Sequence, residues 1–283
     1  MTTRTLFTGF AAPLLALALA AAPAARADDD APADAAAAGA GTLTGRQIME
    51  RVDARDDGDD QTARMEMILI DKNGHERARE IRSFAKDFGE DTYKLMFFLA
   101  PADVEGTGFL TYDYYAADRY DDQWLYLPEL GKVKRIATSD KSSAFMGSDF
   151  SYADMTRRVL DEWTFRLLKE DAVRDHPVWV VECLPAGEDV ADKYGYTKTV
   201  VFVRQDIDMV VRAVNWTDDG KLKYMDMTAI DQVDGIHVAT EMNMKTVKNR
   251  QTLHRTVMRF HDVKFNQDVD PDLFHTRQLE KGL

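Results

Sequence analysis

The sequence predicts a mainly β protein built on one antiparallel sheet that curls or closes. Three observations support this fold class. After residue 60, apolar and polar residues alternate in roughly a dozen short segments. Glycine, proline, asparagine and aspartate separate these segments at near-regular intervals, and no strand–helix–strand alternation of the kind that builds a parallel sheet is present. We expect a single domain over residues 44–283, a size that all-β barrels reach.

The first 27 residues have the three parts of a secretory signal. Arg4 provides the positive charge, residues 6–22 are apolar and rich in Leu and Ala, and Ala25-Arg26-Ala27 is a small-residue cleavage site. The only cysteine, Cys183, lies far from this site, so no cysteine is available there for lipidation. We therefore expect export to the periplasm as a soluble protein, with cleavage after Ala27.

The chain between the signal and the first strand divides into two parts. Residues 28–43 lack apolar periodicity and are predicted to form a flexible leader. Thr44 suits the N-cap of an amphipathic helix, because Ile48, Met49 and Val52 follow at helical spacing. The acidic residues 56–60 end this helix.

From residue 61 onward the apolar period changes to two. Asn73-Gly74 provides the positive-φ residues of a tight hairpin, so the sheet begins as a meander. The predicted strands lie at 65–69, 77–81, 93–99, 106–112, around Trp124 and around Val133, and at 163–169, 178–184, 197–204, 209–217, 222–230, 235–246 and 251–265. Tyr152 to Arg158 suits a short helical turn, and residues 270–279 suit a short terminal helix or a docked tail.

The charge of the chain argues against nucleic-acid binding. The sequence has 36 basic and 49 acidic residues, and loss of Arg4 and Arg26 with the signal leaves 34 against 49, a net charge of −15. Nucleic acids and anionic membranes favour positive proteins. We expect a monomer that binds no nucleic acid.

The residue patterns for metal binding and catalysis are incomplete. The segment Asp53 to Arg64 resembles a calcium loop, but Arg55 and Arg64 stand where oxygen ligands are required. The six histidines show no zinc spacing, and Cys183 lies in an apolar strand. Gly147-Ser148-Asp149 lacks the second glycine of a nucleophile elbow. We expect no enzyme, no metal site and no cofactor.

Methionines recur two residues apart on three predicted strands, which places each pair on one face. The pairs are Met65 with Met67, Met225 with Met227, and Met242 with Met244. Flexible thioethers suit apolar ligands of variable shape, and Leu95 and Phe97 complete the candidate lipid-binding lining. The pattern leaves two interpretations open, a ligand cavity or an ordinary core that uses methionine as filler.

Four ordered motifs resemble those of the outer-membrane lipoprotein-sorting-like family, within the lipoprotein carrier superfamily. They are residues 101–110, Trp124-Leu125-Tyr126-Leu127-Pro128 with Val133-Lys134-Arg135-Ile136, Phe145 to Asp154, and residues 272–279. The resemblance implies a half-open antiparallel β-barrel of about 11–13 strands, with a few short covering helices and an apolar interior for acyl chains. It also implies partners in the membranes, since similar proteins are often associated with exporters of the resistance-nodulation-division type.

Residues 145–154, called the mouth loop below, are predicted to guard the opening of the barrel. Its candidate residues for capping the mouth or docking a partner are Phe145, Met146, Asp149, Ser151, Tyr152 and Asp154. Lys132, Lys134 and Arg135 are candidates for contact with lipid head groups. Hydrogen bonding within the loop and a solvated strand face are the respective alternatives.

Two functions follow. The first is a periplasmic carrier or chaperone that binds a lipid, a lipoprotein acyl chain or another long hydrophobe and passes it between membrane components, from an inner-membrane exporter to an outer-membrane acceptor. The second is a non-catalytic accessory subunit that docks on a resistance-nodulation-division type exporter without its own ligand.

Overall fold

The computed structural model describes residues 43–116 and 118–283. They form a single sheet of thirteen antiparallel strands, open at both edges, as the sequence predicts. The strands are β1 (Asp60–Asp71), β2 (Glu76–Phe88), β3 (Asp91–Ala100), β4 (Gly108–Asp113), β5 (Asp122–Leu127), β6 (Lys132–Arg135), β7 (Trp163–Val173), β8 (His176–Pro185), β9 (Lys198–Arg204), β10 (Met209–Trp216), β11 (Leu222–Val233), β12 (Ile236–Lys248) and β13 (Gln251–Phe265). The helices are α1 (Gly45–Asp53), α2 (Glu188–Tyr194) and α3 (Thr276–Lys281).

The sheet consists of two meanders joined along one seam. Strands β1 to β6 and strands β7 to β13 each follow one another through hairpins, and β1 pairs with β13. Met67 lies opposite Met258 at this seam. The outermost strands are therefore β6 and β7, which are consecutive in sequence.

The connection between β6 and β7, residues 136–162, carries the mouth loop. It starts at one edge of the sheet and ends at the other, so it has to cross the sheet. Of its side chains, Phe145, Phe150 and Ala153 are buried against the strands. The topology thus places the mouth loop over one face, which we call the covered face.

Helices α1 and α2 complete the cover of this face. Helix α1 begins at the predicted N-cap, Thr44, whose hydroxyl accepts from the Gln47 backbone N–H while the Gln47 side chain accepts from the Thr44 N–H. Its Ile48 and Met49 are buried in a cluster with strands β7 to β10. Helix α2, which the sequence analysis does not predict, adds Tyr194 to the same cluster.

The face opposite the covered face carries its own core on β3 to β6. Leu95 and Phe97 are buried there with Phe274 and Leu279 of the C-terminal segment. This segment contains a short 3₁₀ turn over Pro271–Leu273 followed by α3. Of the two predicted alternatives, a short terminal helix or a docked tail, the segment contains a short helix and also packs on the sheet.

The predicted signal and all of the predicted leader except Leu43 lie outside the described residues; Leu43 packs against the α1 cluster. Within the described residues, none of the helices has the length and apolarity that a membrane crossing requires. The same residues contain no cluster of three or more His, Cys, Asp or Glu side chains suited to a metal ion.

Candidate functional site

Methionines form continuous rows across the seam of the sheet. In the first row, Met227 of β11 lies opposite Met242 of β12, which lies opposite Met258 of β13, which lies opposite Met67 of β1. Directly opposed residues on neighbouring strands have their side chains on the same face. Four strands thus present one methionine each at the same level.

A second row lies two residues further along each strand. It runs from Met225 through Met244 and Thr256 to Leu69. Met67 and Met244 are fully or almost fully buried, whereas Met225, Met227 and Met242 are only partly buried. The rows form an apolar surface that is closed near β1 and more accessible near β11.

Six of the eight predicted lining residues belong to this surface. Met65 lies opposite Ile81 of β2 and Phe260 of β13, and it shares its face with Met67, two residues away on β1. All three methionine pairs therefore lie on the covered face. Leu95 and Phe97 do not, since they pack on the opposite face against the C-terminal segment. Their neighbours Met96 and Phe98 occupy the covered face instead.

Met258 is a member of the first row that the sequence analysis missed. It has Thr256 and Phe260 at the neighbouring positions on its face, so it forms no methionine pair along its strand. Only the pairing of β13 with β1 and β12 brings it beside Met67 and Met242. The sequence signal that could have identified Met258 is the pair of apolar residues Met258 and Phe260, two positions apart on β13.

The mouth loop lies on the methionine rows and fills the space above them. Phe145 and Phe150 are almost fully buried in one cluster with Met67 and Met258, and the Phe145 ring centroid is 4.9 Å from that of Phe109. The loop reverses direction at Met146 and Gly147, which have φ values of 49° and 73°. The Phe145 N–H donates to the Phe150 carbonyl at 2.8 Å and closes this turn.

Asp149 fixes the loop to two strands. Its carboxylate accepts hydrogen bonds from the hydroxyls of Thr246 on β12 and Thr256 on β13, and it contacts His254 Nδ1 at 2.7 Å. Its own backbone N–H donates to Thr256 Oγ1 at 2.9 Å. Hydrogen bonds to a charged group contribute about 1.5–3 kcal/mol each, so Asp149 is the principal polar anchor of the turn.

Ser151 and Asp154 form a reciprocal pair within the loop. The Ser151 N–H donates to Asp154 Oδ2 at 2.7 Å, and the Asp154 N–H donates to Ser151 Oγ at 3.2 Å. Tyr196 Oη donates to the Asp154 carboxylate at 2.8 Å. Burial, followed by the adjacent Asp154 charge, raises the pKa of Tyr196 well above its ordinary value.

Two contacts join the β6–β7 connection to β5 and to Asp121, the residue before it, and neither is predicted from the sequence. Lys141 is buried and donates to the Asp121 carbonyl at 2.8 Å, while Gln123 Nε2 donates to the Tyr152 carbonyl at 2.8 Å. Burial raises the pKa of Asp121 and lowers that of Lys141. These contacts connect the loop to the Trp124 motif.

A polar groove of about 830 Å³ lies beside the mouth loop. Its walls are the loop, the end of α2 and the turn between β10 and β11, and Lys223, Thr246 and His254 contribute to its lining. Most of its other lining residues are polar, among them five aspartates and six serines and threonines. The groove is therefore distinct in chemistry from the methionine rows.

The basic residues of the β5–β6 hairpin are on the outside of the molecule. Lys132 and Lys134 are exposed, and neither makes an ion pair with a described residue. Arg135 pairs with Asp122. No further contact of these side chains distinguishes a head-group site from a solvated strand.

Comparison with known proteins gives two matches of similar strength over most of the chain. A DUF1329 family protein from Desulfovibrio piger is 28% identical, with a TM-score of 0.76, and the match covers 83% of this chain and 97% of that one. An outer membrane lipoprotein-sorting protein domain from Vibrio parahaemolyticus is 30% identical, with a TM-score of 0.75, and the match covers 83% of this chain and 98% of that one.

A more distant match is similar in fold alone. It is a protein of the LolA superfamily from Nitrosomonas europaea, 18% identical with a TM-score of 0.63, covering 84% of this chain and 100% of that one. A family model described as "uncharacterized protein" matches residues 90–281. No curated protein matches the sequence.

Proposed function

The chain belongs to the outer-membrane lipoprotein-sorting-like family, and from this premise we propose that it is a non-catalytic carrier or chaperone in the periplasm. Its ligand is a lipid, a lipoprotein acyl chain or another long hydrophobe. The protein receives this ligand from an inner-membrane component, with an exporter as the expected donor, and passes it to an outer-membrane acceptor.

The observation that carries the proposal is the continuous methionine surface on the covered face. Four strands contribute to it at matched register, and its more accessible end is formed by Met225, Met227 and Met242. The charged residues opposite the rows, Arg77 and Arg79 of β2, lie at the other end, beside Leu69 and Met67. Each buried methylene is worth roughly 0.8 kcal/mol, so a sixteen-carbon chain gains on the order of 12 kcal/mol before the costs of binding. Thioethers repack around different chains at little cost.

The mouth loop occupies this surface in the structure. We therefore propose that ligand entry displaces Phe145 and Phe150 and replaces their contacts with those of the acyl chain. Because one apolar contact substitutes for another, the exchange requires mainly the loss of the polar contacts at Asp149 and Asp154. A carrier has to release its ligand, and a loop that competes for the site favours release.

The experiment compares two variants of the mature protein on adjacent positions of β12. Met242→Glu places a charge on the methionine rows, whereas Asn243→Glu places the same charge on the other face of the strand. Met242 is only partly buried, so both variants are expected to fold. We expect Met242→Glu to weaken binding of a fluorescent fatty acid at least tenfold and Asn243→Glu to leave it unchanged.

Circular dichroism checks that both variants fold, and lipid extraction from the purified wild-type protein identifies any bound molecule. Absence of binding by the wild-type protein, or equal binding by the two variants, would contradict the carrier proposal.

One observation favours the accessory-subunit alternative, namely that the mouth loop already fills the apolar surface. In that case, photo-crosslinking from Gly147 captures a membrane protein whether or not Met242→Glu is present. The proposed carrier contacts its membrane partners in order to exchange ligand, so its adduct should decrease when Met242→Glu removes ligand binding.

A further inference from the structure

The covered face changes from apolar to polar in a fixed direction along three adjacent strands. Beyond the two methionine rows, the next level consists of Lys223, Thr246 and His254, which lie opposite one another on β11, β12 and β13. Each lies two residues beyond a member of the second row, so all three share the covered face. Neighbouring levels are two residues or about 6.6 Å apart along a strand, so the polar level lies about 13 Å from the first methionine row.

This polar level is also the floor of the 830 Å³ groove, since Lys223, Thr246 and His254 all line it. The groove and the methionine rows therefore lie on the same face of β11, β12 and β13 and form two ends of one surface. A molecule that covers both ends has to be amphiphilic. Its chain faces thioethers, and its head group faces an amine, hydroxyls and an imidazole.

The charges in the groove select the type of head group. Three of its cationic side chains already have carboxylate partners: Lys193 pairs with Glu162, Lys221 with Asp219, and His254 contacts Asp149. Among the described residues, Lys223 has no such partner within 4 Å, and its Nζ lies 5.4 Å from the Tyr196 ring centroid. Lys223 is partly buried and stands at the end of the apolar rows.

The acidic residues of the groove do not cancel this charge. Without ligand, the Asp149 carboxylate accepts from Thr246 and Thr256 and contacts His254. When ligand entry displaces the mouth loop as proposed above, Asp149 leaves this level with the loop and frees Thr246 and His254. Asp189, Asp192 and Asp218 are exposed, which places them at the solvent side of the groove. Screening by water weakens their effect on a group held beside Lys223.

We infer that the groove is the head-group site of the carrier and that it takes the anionic oxygens of a carboxylate or phosphate amphiphile, with Lys223 as the counter-charge. This inference rests on the proposed carrier function, because the head group is held by the same molecule whose chain lies on the methionine rows. The ligand then has a defined orientation, with its polar end beside α2 and the β10–β11 turn.

The test uses three monomeric amphiphiles that share an oleoyl chain: oleate, oleoyl lysophosphatidate and uncharged monooleoylglycerol. Each is titrated into the wild-type mature protein, into Lys223→Gln and into Lys245→Gln. Lys245 lies on the neighbouring strand β12 but is exposed on the other face, which makes it the matched control. All proteins are checked for folding by circular dichroism.

We expect the wild-type protein to bind at least one of the two anionic amphiphiles roughly tenfold more tightly than monooleoylglycerol, with a preference that weakens at high salt. Lys223→Gln should lose this preference while its affinity for monooleoylglycerol stays the same, and Lys245→Gln should keep it. If the wild-type protein prefers oleate, the head group is a carboxylate. If it prefers oleoyl lysophosphatidate, the head group is a phosphate.

The outcomes separate the two proposals. Equal binding of all three amphiphiles by the wild-type protein, or an unchanged preference in Lys223→Gln, overturns the head-group site and leaves the carrier function standing. Failure of all three to bind overturns both.

Discussion

Asp149 illustrates what a single residue does in this structure and why its role is difficult to predict. Its partners Thr246, His254 and Thr256 are 97, 105 and 107 residues away in sequence. The sequence analysis selected Asp149 from its motif but could not identify these partners, because strand pairing alone brings them together. Whether the residue also docks a partner protein remains a prediction.

Residues 95–98 show a second reason why the position of a side chain is difficult to predict from the sequence. Leu95, Met96, Phe97 and Phe98 are consecutive apolar residues, so β3 has no alternation that assigns them to faces. Strand β3 is apolar on both sides because the mouth loop covers one face and the C-terminal segment covers the other. Leu95 and Phe97 were expected on the face of the methionine pairs, but Met96 and Phe98 occupy that face.

Cys183 permits a test of burial at one residue. Its side chain is almost fully buried within the α1 cluster, and burial raises the pKa of its thiol to about 11. Because the thiolate is the reactive form, we expect no reaction with a thiol reagent at pH 8 in the native protein and complete reaction in urea. A native protein that reacts at the unfolded rate would contradict this burial.

At the scale of elements, the helical turn predicted for Tyr152 to Arg158 is shorter in the structure. A 3₁₀ turn covers only Ala153–Met155, and Thr156 is extended. The Arg157 backbone N–H donates to Asp113 Oδ2 at 2.9 Å instead of continuing the turn. The alternative partner is 44 residues away, which no local pattern reveals.

Helix α2 was missed for a related reason. It has only seven residues, begins after Gly187 and ends at Gly195, where φ is 72°. Such a segment is too short for an apolar period to be recognised. Its fold depends on the packing of Val190 and Tyr194 against the strands.

The mouth loop supplies the prediction at this scale. Asp149→Asn keeps the shape of the side chain but removes its charge and one acceptor oxygen, so the loop should open more often. We expect hydrogen exchange at residues 145–150 to become roughly tenfold faster or more, consistent with the loss of about 1.5–3 kcal/mol. Exchange in β8 and β9 should be unchanged.

Asp189→Asn is the control, since Asp189 is exposed at the groove and should leave loop exchange at the wild-type rate. Equal exchange in Asp149→Asn and the wild-type protein would show that packing of Phe145 and Phe150 alone holds the loop.

At the scale of the whole molecule, all thirteen strands were predicted, but their order was not. Local alternation and turns identify strands and hairpins, and these generate the two meanders. They contain no information on the pairing of β1 with β13, which sets the edges at β6 and β7. The position of the mouth loop over the sheet follows from that one pairing.

The carboxylate of Asp60 joins the start of β1 to the segment after β13, and its lowered pKa predicts that the stability of the protein depends on pH. It is buried at the start of β1 and accepts from the backbone N–H groups of Gln267 and Val269 at 2.8 and 3.0 Å. Burial raises its pKa, but these donors and Lys86 outweigh burial, so the pKa lies below its ordinary value. Its contribution to stability is therefore present above about pH 4 and is lost as the pH falls through the folded-state pKa.

We expect Asp60→Asn to be less stable than the wild-type protein by about 1–3 kcal/mol in urea unfolding at pH 7. This difference should shrink at pH 3, and the exposed Asp268→Asn should show no comparable loss at either pH. A difference that is the same at both pH values would mean that the Asp60 charge is not involved.

The seam between β1 and β13 also determines when the methionine surface is completed during folding. Each meander can form from local hairpins, but Glu66 and Arg259, which bond across the seam, are 193 residues apart. Contacts of such separation are slow to form because the chain must first lose the entropy of a large loop. Met67 joins the other three methionines of its row only at that step. A nascent chain therefore has no complete methionine surface until its last strand is in place, so under the proposed carrier function the immature protein retains no ligand.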